Sequence, residues 1–429
     1  MTTTLKKSIP HFRWWIAGLL ALATALNYLD RQSLPVAISE IQKSITISEV
    51  AYSRLQMLFL ISYSLMYLVG GKLIDIMGSR LGYLVMILWW SIANFIHGLM
   101  STVMGLGVAR FLLGMGEGGG FPASAKVVSE WFPAKERSLA FGIFNTGSSL
   151  GSVIAPPMIA FIILELDWRW VFFLTGSLGF IWAFFWFRMY QKPENSTRVS
   201  EEEKAYIKAG QIQEETEGPK VKWVDLFKFK KTWGLVLAKF LSDAAWYFYI
   251  FWLPKYLADA RGLDIKEIGY YAWIPFAFAG AGSFLAGWLS TYLIKKNISL
   301  DRSRKICLAI AACLMPIALF ITGVPLSMAI VFFSMAMFGH QAFSTLMQTL
   351  TADMYPSHSV GSIAGLVGAA GSMGGVVFSF FVGLLLSNFG YGPVFIIAGI
   401  LHPISFLLIL FLVQKVEMIH IRSAKSGSE

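Results

Sequence analysis

Charge is scarce in this sequence: Asp, Glu, Lys and Arg make up 14% of its 429 residues, against roughly 25% in soluble proteins. A water-facing surface is hard to build from so few charged side chains. With 56% hydrophobic and 15% aromatic residues, lipid is the expected solvent. Cysteine is nearly missing as well. Cys307 and Cys313 share one apolar run, which excludes a disulfide framework and a thiolate metal site and leaves both as packing residues. HExxH, GxSxG, metal-spaced His and strand-borne GxGxxG patterns are also absent, so no enzymatic activity, metal or cofactor is expected. The net charge of +10 does not indicate nucleic acid, because the basic residues are spread thinly between apolar segments and form no stripe.

Long apolar runs are what the chain does have. At about 20 residues per bilayer crossing plus a short turn, it has room for about 12 spans. The runs are too long for barrel strands, so the spans are helices, and the fold class is all-α membrane protein. Runs bounded by charge, Gly or Pro predict helices near 14–38, 52–75, 82–103, 105–128, 138–161 and 169–189. Six more follow near 233–258, 266–294, 306–323, 325–351, 360–387 and 392–414. The first run resembles a signal peptide through Ala-Thr-Ala at 23–25, yet it continues through Asn27, Asp30 and Arg31, too long and too polar to be a cleaved one. This divides the chain into an N-terminal six-helix bundle (1–190), a linker (191–232), a C-terminal six-helix bundle (233–415) and a tail (416–429). In the linker, Ser200 and Glu203 have capping-box spacing, which predicts a short surface helix through Tyr206 and Ile207.

An even helix count puts both termini on one side. Lys6, Lys7, Arg13, Arg80, Lys135, Arg137, the linker, Lys295, Lys296, Arg302, Arg304, Lys305 and Lys415 fall on that face, against mainly Lys43, Arg169, Lys255, Arg261 and Lys266 opposite. By the excess of Lys and Arg in inner loops, the termini and linker are cytoplasmic. A shift of about 223 residues exposes a weak internal repeat. Glu130-Trp131-Phe132-Pro133 falls on Asp353-Met354-Tyr355-Pro356, and Gly147-Ser148-Ser149-Leu150-Gly151 on Gly371-Ser372-Met373-Gly374-Gly375. Two bundles related by a pseudo-two-fold axis along the membrane normal, with a site between them near mid-bilayer, are expected.

Several polar residues interrupt the apolar runs. Glu117 lies in the fourth helix, seven residues after Arg110 and on the same face. A carboxylate at that depth costs a few kcal/mol unless paired, hydrated or protonated, which makes it a candidate functional group, with a structural pair to Arg110 or Arg31 as the alternative. Asp30 and Arg31, beside Tyr28, point about 100° apart, so one faces the cavity and the other a neighbouring helix. Arg31 suits a carboxylate, since its planar fork binds an anion bidentately and keeps its charge. Asp30 is then a second titratable group. Lys239 is followed by Asp243, Trp246, Tyr247 and Tyr249, and aromatics among hydroxyl-bearing residues suit a polyol; Trp246 otherwise reads as an interfacial belt residue. His340 falls on Glu117 by the repeat and, with Gln341 and Ser344, is a cavity candidate or a packing histidine. Asn145, Ser148 and Tyr63 are further candidates. After the second helix, Gly71-Lys72-Leu73-Ile74-Asp75-Ile76-Met77-Gly78-Ser79-Arg80 fits G-x-L-x-D-x-x-G-x-R: a tight turn at Gly78, with Asp75 and Arg80 available to pair across helix ends and favour one gate state.

That loop resembles the signature of the major facilitator superfamily. Tyr28-Leu29-Asp30-Arg31, Glu117 to Pro122, Glu130 to Ser138, Phe144-Asn145 and His340-Gln341 resemble its anion:cation symporter family, over essentially the full length. Within that family the chain is similar to bacterial hexuronate and galactonate transporters. The resemblance implies proton-coupled uptake of an organic anion, with Arg31 as anion and coupling residue and Asp30 and Glu117 as proton carriers. Lys239, His340-Gln341 and Gly368 look more like the hexuronate members. The expectation is a monomeric inner-membrane symporter whose partners are a sugar acid, protons and the bilayer, with Arg110, Asp75, Gly78 and Arg80 in gating. Its rivals are an aldonate or other organic-anion transporter, an exporter or antiporter, and a non-transporting sensor. The topology predicts that a fluorescent protein fused to the C-terminus fluoresces in the cytoplasm and that periplasmic alkaline phosphatase fused there is inactive. The reverse pattern overturns the orientation.

Overall fold

The computed structural model describes residues 9–210, 226–355 and 357–419. Lys6, Lys7, linker residues 211–225 and the tail from 420 lie outside the described residues. Among those described there is no strand, and the helices make twelve crossings. The first six are α1 (Phe12–Gln42), α2 (Glu49–Met77), α3 (Ser79–His97), α4 (Val103–Gly118) with α5 (Gly120–Trp131), α6 (Ala134–Glu165) and α7 (Trp168–Met189). After the linker helix α8 (Glu201–Gly210) come α9 (Lys230–Asp259), α10 (Ile265–Tyr271) with α11 (Trp273–Lys295), and α12 (Leu300–Leu314) continued by 3₁₀ turns over Met315–Gly323. The last three are α13 (Leu326–Met354), α14 (Ser357–Phe389) and α15 (Tyr391–Leu408), which ends in a wide turn at Ile409–Val413.

Ten of the crossings are long and apolar enough to span a bilayer on hydropathy alone. The other two are α1, which carries Asp30 and Arg31 in its interior, and the α4–α5 crossing, where two short helices meet. A continuous fourth helix was expected. The chain instead tightens at Gly119, where Pro122 has no N–H for the carbonyl of Gly118 and its ring crowds that turn. The eighth, ninth and twelfth crossings are likewise segmented rather than single α-helices, the ninth passing into 3₁₀ turns at Pro316.

Both matched segments carry glycines at close helix contacts, although the matched Gly371 and Gly375 face the side chains of Asp243 and Tyr247. A Cβ on Gly147 would lie 2.0 Å from the carbonyl oxygen of Ala21, and one on Gly151 2.2 Å from that of Ala25. In the other half a Cβ on Gly374 would lie 1.8 Å from the carbonyl of Phe240. Helix α6 therefore meets α1, and α14 meets α9, backbone to backbone at corresponding places in the two bundles. Between helices in lipid there is no hydrophobic gain to exploit, and close backbone approach is the main source of attraction.

On the face that bears the described termini, Glu203 accepts from the backbone N–H groups of Phe12 (3.0 Å) and Arg13 (3.3 Å) and pairs with the Arg13 guanidinium at 2.7 Å. Ser200 caps α8 through the Glu203 N–H at 3.1 Å, as the spacing predicted, but the Glu203 side chain turns away to tether the start of α1. Replacing Gly374 with Val is expected to destabilise the protein by about 1–3 kcal/mol through overpacking. Gly287→Ala, where nothing lies within 4 Å, serves as the silent control. Thermal unfolding in detergent reads both, and equal melting temperatures would dismiss the close-approach account.

Candidate functional site

A cavity of about 610 Å³ lies between the two bundles. Of the residues predicted for the site, Tyr28, Arg31, Tyr63, Asn145, Ser148, Lys239, Trp246, His340, Gln341 and Ser344 all line it. The first five come from α1, α2 and α6 and the others from α9 and α13, so neither bundle alone makes the site. The lining runs on through Leu139, 60% exposed, and the exposed Gln348 toward the end that bears the termini.

Arg31 is held on every side. Its Nε donates to Glu117 Oε2 at 2.9 Å and its Nη2 to Asn27 Oδ1 at 3.1 Å, while the guanidinium lies 4.6 Å from the Tyr28 ring centroid and 4.8 Å from that of Tyr63. Both partners of the ion pair are almost fully buried, with side-chain exposures of 2% and 0%. Glu117 lines an adjoining space of about 80 Å³ that shares Tyr28, Tyr63 and Ser148 with the main cavity. Its Oε1 is buried and has no protein hydrogen-bond partner. The small residues around it bring the helices to this depth: Cβ atoms on Gly114 and Gly118 would sit 2.3 Å and 2.5 Å from the carbonyls of Phe59 and Tyr63 on α2. Of the alternatives open for Glu117, the partner is Arg31. Arg110 instead donates from both Nη atoms, at 3.3 Å each, to the backbone carbonyl of Arg31.

Asp30 turns away from the cavity. It is 1% exposed and accepts from Asn94 Nδ2 at 2.7 Å, and that amide also reaches Thr175 at 2.7 Å, linking α1 to α3 and α7. Neighbouring residues on a helix diverge by about 100°, and here that divergence separates the two charges. On the opposite wall Lys239 pairs with Asp243 at 3.0 Å and donates to Ser344 Oγ at 2.7 Å. Trp246 stacks on His340 with ring centroids 4.6 Å apart and planes 6° apart, and His340 Nδ1 lies 3.0 Å from His402 Nε2. His340 thus both lines the cavity and is packed, and Trp246 is a cavity residue rather than a belt residue.

Of the predicted gating residues, Asp75, Gly78 and Arg80 stay within their own bundle, whereas the Arg110 guanidinium lies 6.0 Å from the ring centroid of Phe251 on α9. Gly78 has φ +76°, the conformation that favours glycine. Asp75 pairs with Lys126 at 2.8 Å, and Arg80 donates to the carbonyl of Phe187 at 2.7 Å. Contacts between the bundles cluster instead at the far end. Lys255 of α9, held by Asp259 of its own helix at 2.5 Å, pairs with Glu49 of α2 at 2.9 Å, the hydroxyl of Tyr52 donates to the carbonyl of Phe251 at 2.5 Å, and that of Ser53 to the carbonyl of Ser379. That end is closed. Sequence reasoning missed this cluster along with His402, Tyr67 and Asn27, although Asn27 and Tyr67 stand four residues from Arg31 and Tyr63 on the same helix faces.

A polar, two-walled cavity at the centre of twelve helices, closed at one end by an ion pair and hydroxyl-to-carbonyl bonds across its halves, is the architecture of a membrane transporter. The family model described as Major Facilitator Superfamily matches residues 20–300 and 297–427, and the chain belongs to that superfamily; it is a transporter and not an enzyme. Among its relatives, the hexuronate transporter of Escherichia coli (strain K12) is 32% identical over 415 residues, covering 95% of each chain. The galacturonate transporter of Dickeya chrysanthemi is 34% identical over 310 residues, 72% of this chain and 90% of that one. In fold it is similar to a bacterial homolog of the human lysosomal transporter Spinster, with TM-score 0.72 at 20% identity over 95% and 96% of the two chains.

The ion pair at the closed end predicts a population effect. Lys255→Met leaves Glu49 without its cross-bundle partner, and because Glu49 is 28% exposed the loss is modest, about 1–2 kcal/mol. The variant should open that end roughly tenfold more often, read as a change in spin-label distances between α2 and α9. An unchanged distance distribution removes this role.

Proposed function

We propose that the protein is a proton-coupled symporter that imports a hexuronate, glucuronate or galacturonate, across the bacterial inner membrane. Its termini are cytoplasmic, residues 1–190 and 233–415 rock as the two halves, 191–232 links them, and 416–429 is a tail. The observation that carries the reading is the buried Arg31–Glu117 pair at the wall of a cavity shared by both bundles. Relatives named for hexuronate and galacturonate transport support the substrate class.

In this scheme a proton on Glu117 removes the charge that neutralises Arg31, and the freed guanidinium takes the substrate carboxylate in its place. The wall of Lys239, Ser344, Gln341, His340 and Trp246 then meets the sugar, hydroxyls to the polar groups and ring face to the indole. Substrate and proton enter together because either alone leaves an uncompensated charge in the bilayer interior, and such a state rocks poorly. With Lys and Arg dense on the terminal face, the end sealed by Lys255–Glu49 is periplasmic and the cavity leads to the cytoplasm. Asp30, held behind α1 by Asn94, is the second proton-carrying group, and the empty carrier returns with Arg31 neutralised by Glu117.

The test is uptake into proteoliposomes. An inward proton gradient should drive galacturonate above equilibrium, and Glu117→Gln should abolish that accumulation while preserving counterflow exchange. Accumulation by the Gln variant at the wild-type level would show that Glu117 does not couple. Arg31→Lys, which loses the planar fork, should weaken substrate binding about tenfold or more.

A further inference from the structure

The cavity is served by two cations and two carboxylates, and the two pairs are built differently. Arg31 and Glu117 come from separate helices, α1 and α4, and the Glu117 side chain is wholly buried. Lys239 and Asp243 stand one turn apart on α9, with side chains 9% and 11% exposed, and both lie on the cavity wall. A pair four residues apart on one helix moves with that helix, so rocking of the bundles does not part it. Helix α14 also holds the carboxylate in place: a Cβ on Gly371 would lie 2.2 Å from Asp243 Oδ2. Any larger residue at 371 would push Asp243 off its partner.

A charge count follows from this geometry. The C-terminal wall presents no spare positive charge, because Lys239 is already matched by Asp243 at 3.0 Å. Release of Arg31 by a proton on Glu117 therefore gives the cavity one place for an anionic group. A second carboxylate on the substrate would face Asp243 with Lys239 already committed, and like charges repel strongly in a low-dielectric site. A sugar hydroxyl fares differently. It both donates and accepts, and the ammonium, the Ser344 hydroxyl bound to it at 2.7 Å and the carboxylate offer donors and acceptors side by side.

We propose that Asp243 is a specificity-determining residue that limits the substrate to one carboxylate, by keeping Lys239 as half of a neutral, hydroxyl-binding pair and repelling sugar acids that carry a second. The inference rests on the sugar-acid reading above and adds to it the number of charges the substrate bears.

Galacturonate and galactarate differ by oxidation of C1 to a second carboxylate, so they probe this count. Binding of each to purified protein at pH 7, measured by calorimetry, should favour galacturonate by at least about tenfold. The near-isosteric Asp243→Asn leaves the Lys239 charge unmatched and should narrow that gap about tenfold or reverse it. Lys239→Gln combined with Asp243→Asn is neutral again and should restore the preference. Equal affinities in the wild-type protein, a ratio in Asp243→Asn within about twofold of wild type, or a gain that persists in the double variant would each overturn the proposal. Because the first comparison uses the native chain, a folding defect in a variant does not shield it. Absence of binding by either acid would remove the sugar-acid reading and this inference with it, whereas galacturonate binding without discrimination would remove this inference alone.

Discussion

The pairing of Arg31 with Glu117 is the constraint on which the first bundle is arranged. Two ions taken out of water are tolerated only if each satisfies the other and the remaining donors find acceptors. That condition brings α1, α2 and α4 together at one depth. Glycines at 114 and 118 let α4 lie against the backbone of α2, Asn27 and the rings of Tyr28, Tyr63 and Phe59 surround the guanidinium, and Arg110 takes the carbonyl of Arg31 itself.

Around this centre the two halves use one packing device twice. Glycines on α6 and α14 press against carbonyls of α1 and α9, so each bundle has a tight helix pair flanking the cavity. Between the bundles, an ion pair, hydroxyl-to-carbonyl bonds and aromatic edges such as Tyr52 on Trp252, with centroids 4.8 Å apart, accompany close packing such as Gly383 against Ser53.

The membrane class, the helix count and the main polar actors were legible because lipid penalises each exception individually. A charge in an apolar run stands out whatever the fold, and Arg31, Glu117 and Lys239 were found that way. The glycine repeat was visible too, though its meaning as backbone contact was not. His402 escaped notice because one histidine in an apolar helix is ambiguous until His340 is seen 3.0 Å away. The Lys255–Glu49 pair escaped because each residue sits near a helix end, where charges are ordinary.

Sequence alone determined that the chain crosses a bilayer about twelve times and which charges had to be neutralised, since the free energies involved belong to single residues meeting hydrocarbon. Only the tertiary structure decided the partners: Glu117 for Arg31, Asn94 for Asp30, Asp243 and Ser344 for Lys239, Lys126 rather than Arg80 for Asp75. Those choices depend on how neighbouring helices are rotated and how closely they pack. Rotation and spacing are set by contacts between residues far apart in the chain, so no local pattern can encode them.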